Sequence, residues 1–253
     1  MLLERYLKVS NIYKKENLEE EILIEKINES IKTNTEVDIK TTLDTNALDK
    51  ATFFYNFANY SLLAGCLFVI SIILNSFKNN NIKKRTVISS YPNNKYNRNL
   101  FLAGSTYGLL LWILYTVIGI VILKDVMFTQ SGLLYLINSF VFMICAVSIS
   151  FLMGNLINDK EALNGIVNVI ALGSSFLCGA FVPMQFLPDF VLKIAHILPS
   201  YWFIKNNEII KEIEVISNSS LKEYSFNIIM IIIFIIIISI ATNIISKMKR
   251  KAN

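Results

Sequence analysis

Charged residues are scarce in this chain, and their scarcity is the first constraint on its structure. The 253 residues are 54% hydrophobic and only 17% charged, with a mean hydropathy of +0.51. Soluble domains carry about 25% charged residues. They also alternate apolar with polar positions instead of gathering apolar residues into long uncharged runs. The composition therefore excludes an ordinary soluble domain and indicates a protein that lies in lipid.

Residue types that usually carry chemistry are also few. The three cysteines (Cys66, Cys145 and Cys178) and the single histidine (His196) form no CxxC or Cys/His cluster, so no metal site or catalytic triad can be assembled. The pattern GxxxxGK[ST] is absent, so the chain cannot cradle a nucleotide in the P-loop manner. We expect no catalytic residue, no metal and no cofactor in this chain. An intramembrane enzyme is disfavoured because no apolar run carries the ionisable residues it would need.

Long uncharged runs dominate the remaining sequence. About 20 residues cross a hydrocarbon core of about 30 Å as a helix that rises about 1.5 Å per residue. Five runs without Asp, Glu, Lys or Arg are long enough, and they predict spans at residues 53–77, 99–123, 131–157, 162–182 and 224–246. The sequence thus predicts an all-α, polytopic membrane protein with five transmembrane helices.

Basic residues set the predicted orientation, because Lys and Arg in short loops stay on the cytoplasmic side. The loop 78–98 carries six basic residues and no acidic residue, and four more follow the last predicted span. Both segments are therefore predicted to be cytoplasmic, and the even number of spans between them agrees with this. Residues 1–52 and the loop 183–223 then lie outside, with the N-terminus extracellular and the C-terminus cytoplasmic.

One stretch before the last predicted span combines small residues, prolines and aromatic residues. Pro183 and Pro188 break the helix at the predicted outer membrane face. The apolar surface that follows ends at Pro199, Tyr201 and Trp202, and Tyr and Trp favour the membrane interface. The residues alone predict an interfacial helix that lies at the outer leaflet or re-enters it.

The same stretch resembles the signature of type-2 ABC transporter permeases, G-x-F-[VIF]-P…L-P…L-P-x-[YW]. The matching residues are Gly179, Phe181, Pro183, Leu187, Pro188, Pro199 and Tyr201. The loop 78–98 is similar to the cytoplasmic coupling segment of that family, and the resemblance covers roughly residues 50–250. It implies the transmembrane subunit of an ABC exporter in a bacterial plasma membrane. Its implied partners are a cytosolic ABC ATP-binding subunit, which binds ATP–Mg, and a second permease subunit, identical or different.

The resemblance leaves the start of the chain unexplained. Family subunits usually carry six spans, with an extracellular domain after the first, whereas this chain begins with what resembles the end of that domain. We expect residues 1–52 to be a remnant of the domain and the first helix to be missing. A fragment, a split gene and a degenerate protein all remain open. The competing functions are a membrane-embedded immunity or interaction protein without an ATPase, and a truncated, inactive permease.

Two sets of residues are candidates for function. The resemblance implies that the coupling segment docks on the ATPase through Lys83, Lys84, Arg85, Thr86, Ser89 and Ser90, where the alternative is positive-inside anchoring alone. The second set consists of polar residues in the spans, namely Asn56 and Asn59 in the first and Asn164, Asn168 and Ser175 in the fourth. Polar groups that face lipid are costly, so these residues should face protein or water. Helix packing and contact with a substrate pathway both remain open for them.

The predicted orientation can be tested by cysteine labelling. A cysteine at Ser30 should react with a membrane-impermeant maleimide in intact cells, because residues 1–52 are predicted to be outside. A cysteine at Ser89 should react only after permeabilisation. The reverse pattern would invert the topology and remove the basis for a cytoplasmic coupling segment.

Overall fold

Helices account for nearly all of the structure, a computed structural model that describes residues 45–77, 85, 93–157, 159–212 and 218–251. The described residues contain no strand. Their α-helices are α1 Thr45–Phe77, α2 Asn93–Leu123, α3 Gln130–Leu156, α4 Lys160–Leu177, α5 Asp189–Ala195, α6 Pro199–Glu212 and α7 Asn218–Lys251. Two 3₁₀ turns connect them, at Lys124–Phe128 and Met184–Phe186.

Four segments of the described chain are long and apolar enough to cross a membrane. They are Asn46–Phe77, Arg98–Phe128, Gln130–Leu156 and Ser219–Ser246. These segments coincide with the first, second, third and fifth predicted spans, so the all-α polytopic fold is confirmed. The fourth predicted span differs, because the apolar part of α4 is shorter, at Ala162–Leu177, and its helix ends before residue 182.

Gly179 explains the early end of α4. Its φ of +96° lies in the left-handed region. The Ala180 N–H donates to the Ser175 carbonyl oxygen at 2.9 Å, which is the 6→1 bond of a Schellman cap. A Cβ atom at Gly179 would lie 2.6 Å from Cγ of Met184, so a side chain there would have to displace Met184 as well as adopt a strained backbone conformation. The uncharged run continues past this point, and hydropathy alone therefore placed the helix end too late.

The core lies between α1 and α3. Their facing residues, with the other core helices, enclose a cluster that includes Leu62, Leu63, Leu67, Phe142 and Ala146. Helix α2 packs on α1 and α3, α4 packs on α1, and α7 packs on α3 and α6. Helices α2 and α7 leave aliphatic side chains exposed on their outer faces, including Leu110, Leu114, Val121, Ile233, Ile236 and Ile240. Such faces suit contact with lipid.

The turn between α2 and α3 is packed closely against the start of α3. The Thr129 hydroxyl accepts a hydrogen bond from the Gly132 N–H at 3.3 Å and so caps α3. A Cβ atom at Gly132 would lie 2.5 Å from the Met127 carbonyl oxygen. Because that oxygen belongs to the backbone, it cannot move aside as a flexible side chain would.

We expect Gly132→Ala to destabilise the protein, since overpacking costs about 1–3 kcal/mol. Gly173→Ala is the matched control, because a Cβ there meets nothing within 4 Å. Alanine is also favoured over glycine in a helix by about 1 kcal/mol. Thermal unfolding in detergent should show a lower midpoint for Gly132→Ala and an unchanged or raised midpoint for the control. Equal midpoints would contradict the close packing of this turn.

Candidate functional site

Helix α6 lies inside the helix bundle, although its sequence falls in the predicted extracellular loop 183–223. It packs against α1, α3 and α7. Its buried residues run through most of its length and are Pro199, Ser200, Tyr201, Trp202, Phe203, Ile204, Asn206, Asn207 and Ile210. The ring of Phe203 stacks on that of Phe142, with centroids 4.3 Å apart. The burial of α6 therefore supports a helix that re-enters the bundle over a helix that lies on the membrane surface.

The contacts of α6 give its direction and depth. Phe203 meets Phe142 on α3, whereas Lys211 lies 2.7 Å from Asp49, near the start of α1. Helix α6 therefore runs antiparallel to α1 and α3, towards the end of the bundle where those helices begin. Phe142 lies about 18 Å along α3 at about 1.5 Å per residue, more than half of a hydrocarbon core of about 30 Å. The first turn of α6 is thus deep in the bundle.

Six polar side chains from four helices form one continuous series of hydrogen bonds, which we term the amide network. In each bond an asparagine Nδ2 donates to the side-chain oxygen of the next residue. The bonds run from Asn227 to Asn206 (2.8 Å), to Asn138 (3.1 Å), to Asn207 (2.8 Å), to Asn56 (2.9 Å) and to Glu208 (2.9 Å). All five asparagines are buried, with Asn56 the most exposed at 6%. The network joins α6 to α1, α3 and α7.

The carboxylate of Glu208 sets the direction of the whole network. An ionised carboxylate only accepts hydrogen bonds, so Asn56 must present its Nδ2 to Glu208. The Oδ1 atom of Asn56 is then the acceptor for Asn207. Each further asparagine before the last must likewise accept with Oδ1 from one neighbour and donate with Nδ2 to the next. At the far end, Oδ1 of Asn227 is buried and has no donor among the described residues. The pairing of five buried amides therefore depends on one half-buried acidic residue.

Aromatic and ionic contacts lie beside the network towards the start of α1. The rings of Tyr55 and Tyr135 are parallel within 5° and have centroids 4.8 Å apart. The Tyr135 hydroxyl lies 2.6 Å from the Thr52 hydroxyl and also donates to the Asn207 carbonyl oxygen at 3.4 Å. The hydrogen bond to the Asp49 carboxylate raises the pKa of Lys211 and stabilises its charged form. These contacts fix the C-terminal end of α6.

The structure divides the predicted polar residues of the first and fourth spans into two groups. Asn59 donates to the Ser175 hydroxyl at 2.9 Å, and Asn56 belongs to the amide network. These three residues are buried at helix contacts. By contrast, Asn164 and Asn168 are exposed, so they do not share the surroundings of Ser175. The predicted stripe on the fourth span is therefore not one continuous packed surface.

The signature residues mostly shape the backbone between α4 and α6. Gly179 caps α4, Pro183 and Pro188 directly precede the second 3₁₀ turn and α5, and Leu187 ends that turn. Pro199 is the first residue of α6, a position where its missing N–H costs no helical hydrogen bond. None of these residues is placed for acid–base chemistry.

Two aromatic signature residues anchor this backbone. Phe181 packs between α1 and α4, with ring centroids 5.7 Å from Phe57, 5.8 Å from Tyr60 and 5.0 Å from Phe176. Tyr201 is buried, with its ring centroid 4.0 Å from that of His196. Both aromatic side chains therefore hold the connecting segment against the bundle.

One residue of the proposed coupling segment, Arg85, is among the residues that the structure describes. Lys83, Lys84, Thr86, Ser89 and Ser90 lie outside the described residues, and Arg85 is exposed. The helices on either side approach each other at the base of this segment, where the rings of Phe77 on α1 and Tyr96 on α2 lie 6.3 Å apart, edge to face. The two ends of the loop are thus held together.

Comparison with known proteins decides the family. The model of the ABC-2 family transporter proteins matches residues 1–246. This chain belongs to that family. It is therefore a multi-pass membrane protein and the permease subunit of an ABC transporter. No curated protein and no solved structure matches the chain significantly.

Within this ABC-2 permease, sequence reasoning missed most of the amide network. Asn138 and Asn227 interrupt uncharged runs just as Asn56 does, and that signal could have identified them. Asn206, Asn207 and Glu208 gave no such signal, because polar residues are ordinary in an extracellular loop. Their burial depends on the tertiary position of α6.

The amide network of the permease can be tested at Asn138, which bonds to three other groups. Asn138→Leu should leave the Phe203 carbonyl, Oδ1 of Asn207 and Nδ2 of Asn206 without their partner. A buried polar group left unpaired costs about 1–3 kcal/mol, so unfolding in mixed micelles should become easier by about 3 kcal/mol. Asn243→Leu is the matched control, because Asn243 is exposed on α7. A similar effect of both changes would argue against the network.

Proposed function

We propose that this permease forms the substrate pathway of an exporter in a bacterial plasma membrane. A separate cytosolic ABC ATPase, which binds ATP–Mg, drives it by docking on the coupling segment at residues 83–90. Family membership combined with the basic loop between α1 and α2 carries the proposal. The loop 78–98 holds six basic residues and no acidic residue, so it offers a positively charged surface to a partner.

The base of the loop supports a mechanical role. Because Phe77 and Tyr96 bring its two ends together, a push on the loop acts on α1 and α2 at the same point. Anchoring by charge alone requires no such closure. Exposed Arg85 lies in the middle of the segment, where a docked partner can reach it.

Helix α1 can carry the displacement towards the other side of the membrane. It runs from Thr45 to Phe77 and contains no proline. Asn56 lies about 30 Å from Phe77 along this helix, at about 1.5 Å per residue. A shift of α1 at the coupling segment therefore reaches the amide network and the Asn59–Ser175 contact.

The burial of the network bears on where the substrate passes. Asn56, Asn59 and Ser175 are at most 6% exposed and bond to other helices, which supports packing over direct substrate contact. Asn164 and Asn168 are the candidates that remain accessible. The pathway we propose therefore runs along the outer surface of the bundle at α4, between this subunit and another.

Charge reversal in the coupling segment tests the proposed function. Lys84→Glu with Arg85→Glu should lower co-purification of the ATPase, detected by azido-ATP photolabelling of the purified complex. Like charges placed in contact cost several kcal/mol, so the loss should exceed about tenfold.

The matched control reverses the charge of two exposed lysines, Lys193 and Lys222, which lie on the predicted outer side. It should leave ATPase association unchanged. Labelling of a cysteine at Ser30 reports whether each variant is inserted normally. If the Lys84/Arg85 variant inserted normally and retained the ATPase, the segment would serve only as a topological anchor and the coupling role would be wrong.

A further inference from the structure

The outward face of α7 changes character towards the predicted outer end of the helix. From Ile229 to Ile240 its exposed residues are all isoleucines, which suit contact with acyl chains. Above them lies a shallow groove with a volume of about 430 Å³, which we term the α7 groove. It is lined by Leu221, Lys222, Ser225, Phe226 and Ile229. These residues recur at helical spacing, so the groove continues the isoleucine surface and adds one cation and one hydroxyl to it.

The α7 groove spans the boundary between lipid headgroups and acyl chains. Lys222 lies just before the uncharged run that begins at Tyr224. The Tyr224 hydroxyl donates to the Leu134 carbonyl oxygen at 2.9 Å, so this part of α7 is level with the start of α3. Ile229 lies about 10 Å further along α7, at a rise of about 1.5 Å per residue. The groove therefore has its cation at headgroup depth and its apolar end among the acyl chains.

Lys222 supplies the charge of the α7 groove. Its neighbour Glu223 is already paired, with its Oε1 atom 3.0 Å from Nζ of Lys205 on α6. Lys222 is exposed and forms no ion pair within the described part of the chain. The Ser225 hydroxyl, one turn further along, is also exposed and makes no side-chain hydrogen bond to the described residues. A cation and a hydroxyl donor on adjacent turns suit a single phosphate group.

The deeper part of the α7 groove offers an apolar surface that a free anion cannot use. Phe226 is 53% exposed, and its ring meets that of Trp202 edge to face, with centroids 5.9 Å apart. Ile229 continues this surface towards the middle of the membrane. A ligand that carries both a phosphate and a hydrocarbon chain therefore matches both parts of the groove. Phospholipids have this chemistry, and they already surround α7.

We propose that the α7 groove binds an anionic phospholipid of the outer leaflet. Lys222 and Ser225 hold its phosphate, and its acyl chain lies along Phe226 and Ile229. A net negative headgroup is favoured, because a zwitterionic lipid brings its own cation to compete with Lys222. The bound lipid packs beside Trp202 at the start of α6 and is not the transported substrate. This site goes beyond the proposed function and requires neither ATPase nor nucleotide.

Bromine-labelled lipids test the α7 groove, because bromine quenches tryptophan fluorescence at short range and Trp202 contacts the groove. The full chain is placed in nanodiscs of phosphatidylcholine with a minor share of phosphatidylglycerol. The bromine is carried by one lipid or by the other, so composition is unchanged and only enrichment near tryptophan differs. Per bromine, phosphatidylglycerol should quench about fivefold more strongly, the preference expected from one lysine beside an anionic lipid.

Substitutions at Lys222 connect this preference to the groove. Lys222→Gln should remove it, because the charge is lost, and Lys222→Arg should keep it. Lys193→Gln is the matched control and should also keep it, because Lys193 is exposed on the predicted outer side but does not line the groove. Trp112 is present in every variant, so its contribution is common to all of them. Equal quenching by both lipids in wild type, a preference retained in Lys222→Gln, or equal losses in the Lys222→Gln and Lys193→Gln variants would overturn the proposal.

Soluble competitors distinguish a lipid from a free anion. Glycerol phosphate has the headgroup chemistry without acyl chains and should leave the preference unchanged when ionic strength is matched with chloride. Unlabelled phosphatidylglycerol should reduce it. If glycerol phosphate or inorganic phosphate removed the preference, the groove would bind free anions and the lipid assignment would be wrong. Loss of the ATPase from the purified complex would not alter these measurements, so this proposal and the proposed function fail separately.

Discussion

The hydrogen bond from Asn56 to the carboxylate of Glu208 is the interaction on which the rest of this structure depends. It is the last link of a series in which each amide can pair only if the next one points the same way. Unpaired amides are costly at this depth, so the series stabilises one arrangement of α1, α3, α6 and α7. Apolar packing alone would tolerate small rotations and slips between these helices. The network therefore specifies the position of α6 and also stabilises it.

Placing α6 inside the bundle creates a second requirement, because the chain must turn between α4 and α6 with its backbone polar groups paired. Backbone polar groups cannot be left unsatisfied in hydrocarbon. The signature residues meet this requirement in three ways. Gly179 allows a closed cap on α4, Pro183 and Pro188 remove two N–H donors, and the N–H groups of Phe186 and Leu187 bond within the 3₁₀ turn. The residues of the family signature thus satisfy the backbone of the connection between α4 and α6 in this permease.

Hydropathy predicted the spanning helices well, because an uncharged run of sufficient length leaves few other structures in lipid. It failed at two particular places. The end of α4 is set by the left-handed Gly179, and the run of apolar residues conceals it. The position of α6 is set by partners far away in sequence, such as Asn138 and Asn56, and no local pattern contains that information. Of the amide network, only Asn56 was predicted, because it interrupts an apolar run.

Helix α1 connects every part of the proposed mechanism. Its C-terminal end adjoins the proposed coupling segment, Asn56 ties it to α6, and Asn59 ties it to α4. Hydrogen bonds are directional and short in range, so a tilt of α1 must carry these partners along or break their bonds. Breaking the bond to Glu208 would leave a half-buried carboxylate and the amide of Asn56 without each other. Movement of α4 and α6 together with α1 keeps these hydrogen bonds and therefore costs less free energy than breaking them. Under the proposed function, nucleotide state at the coupling segment is then transmitted through α1 to α4 and α6 together.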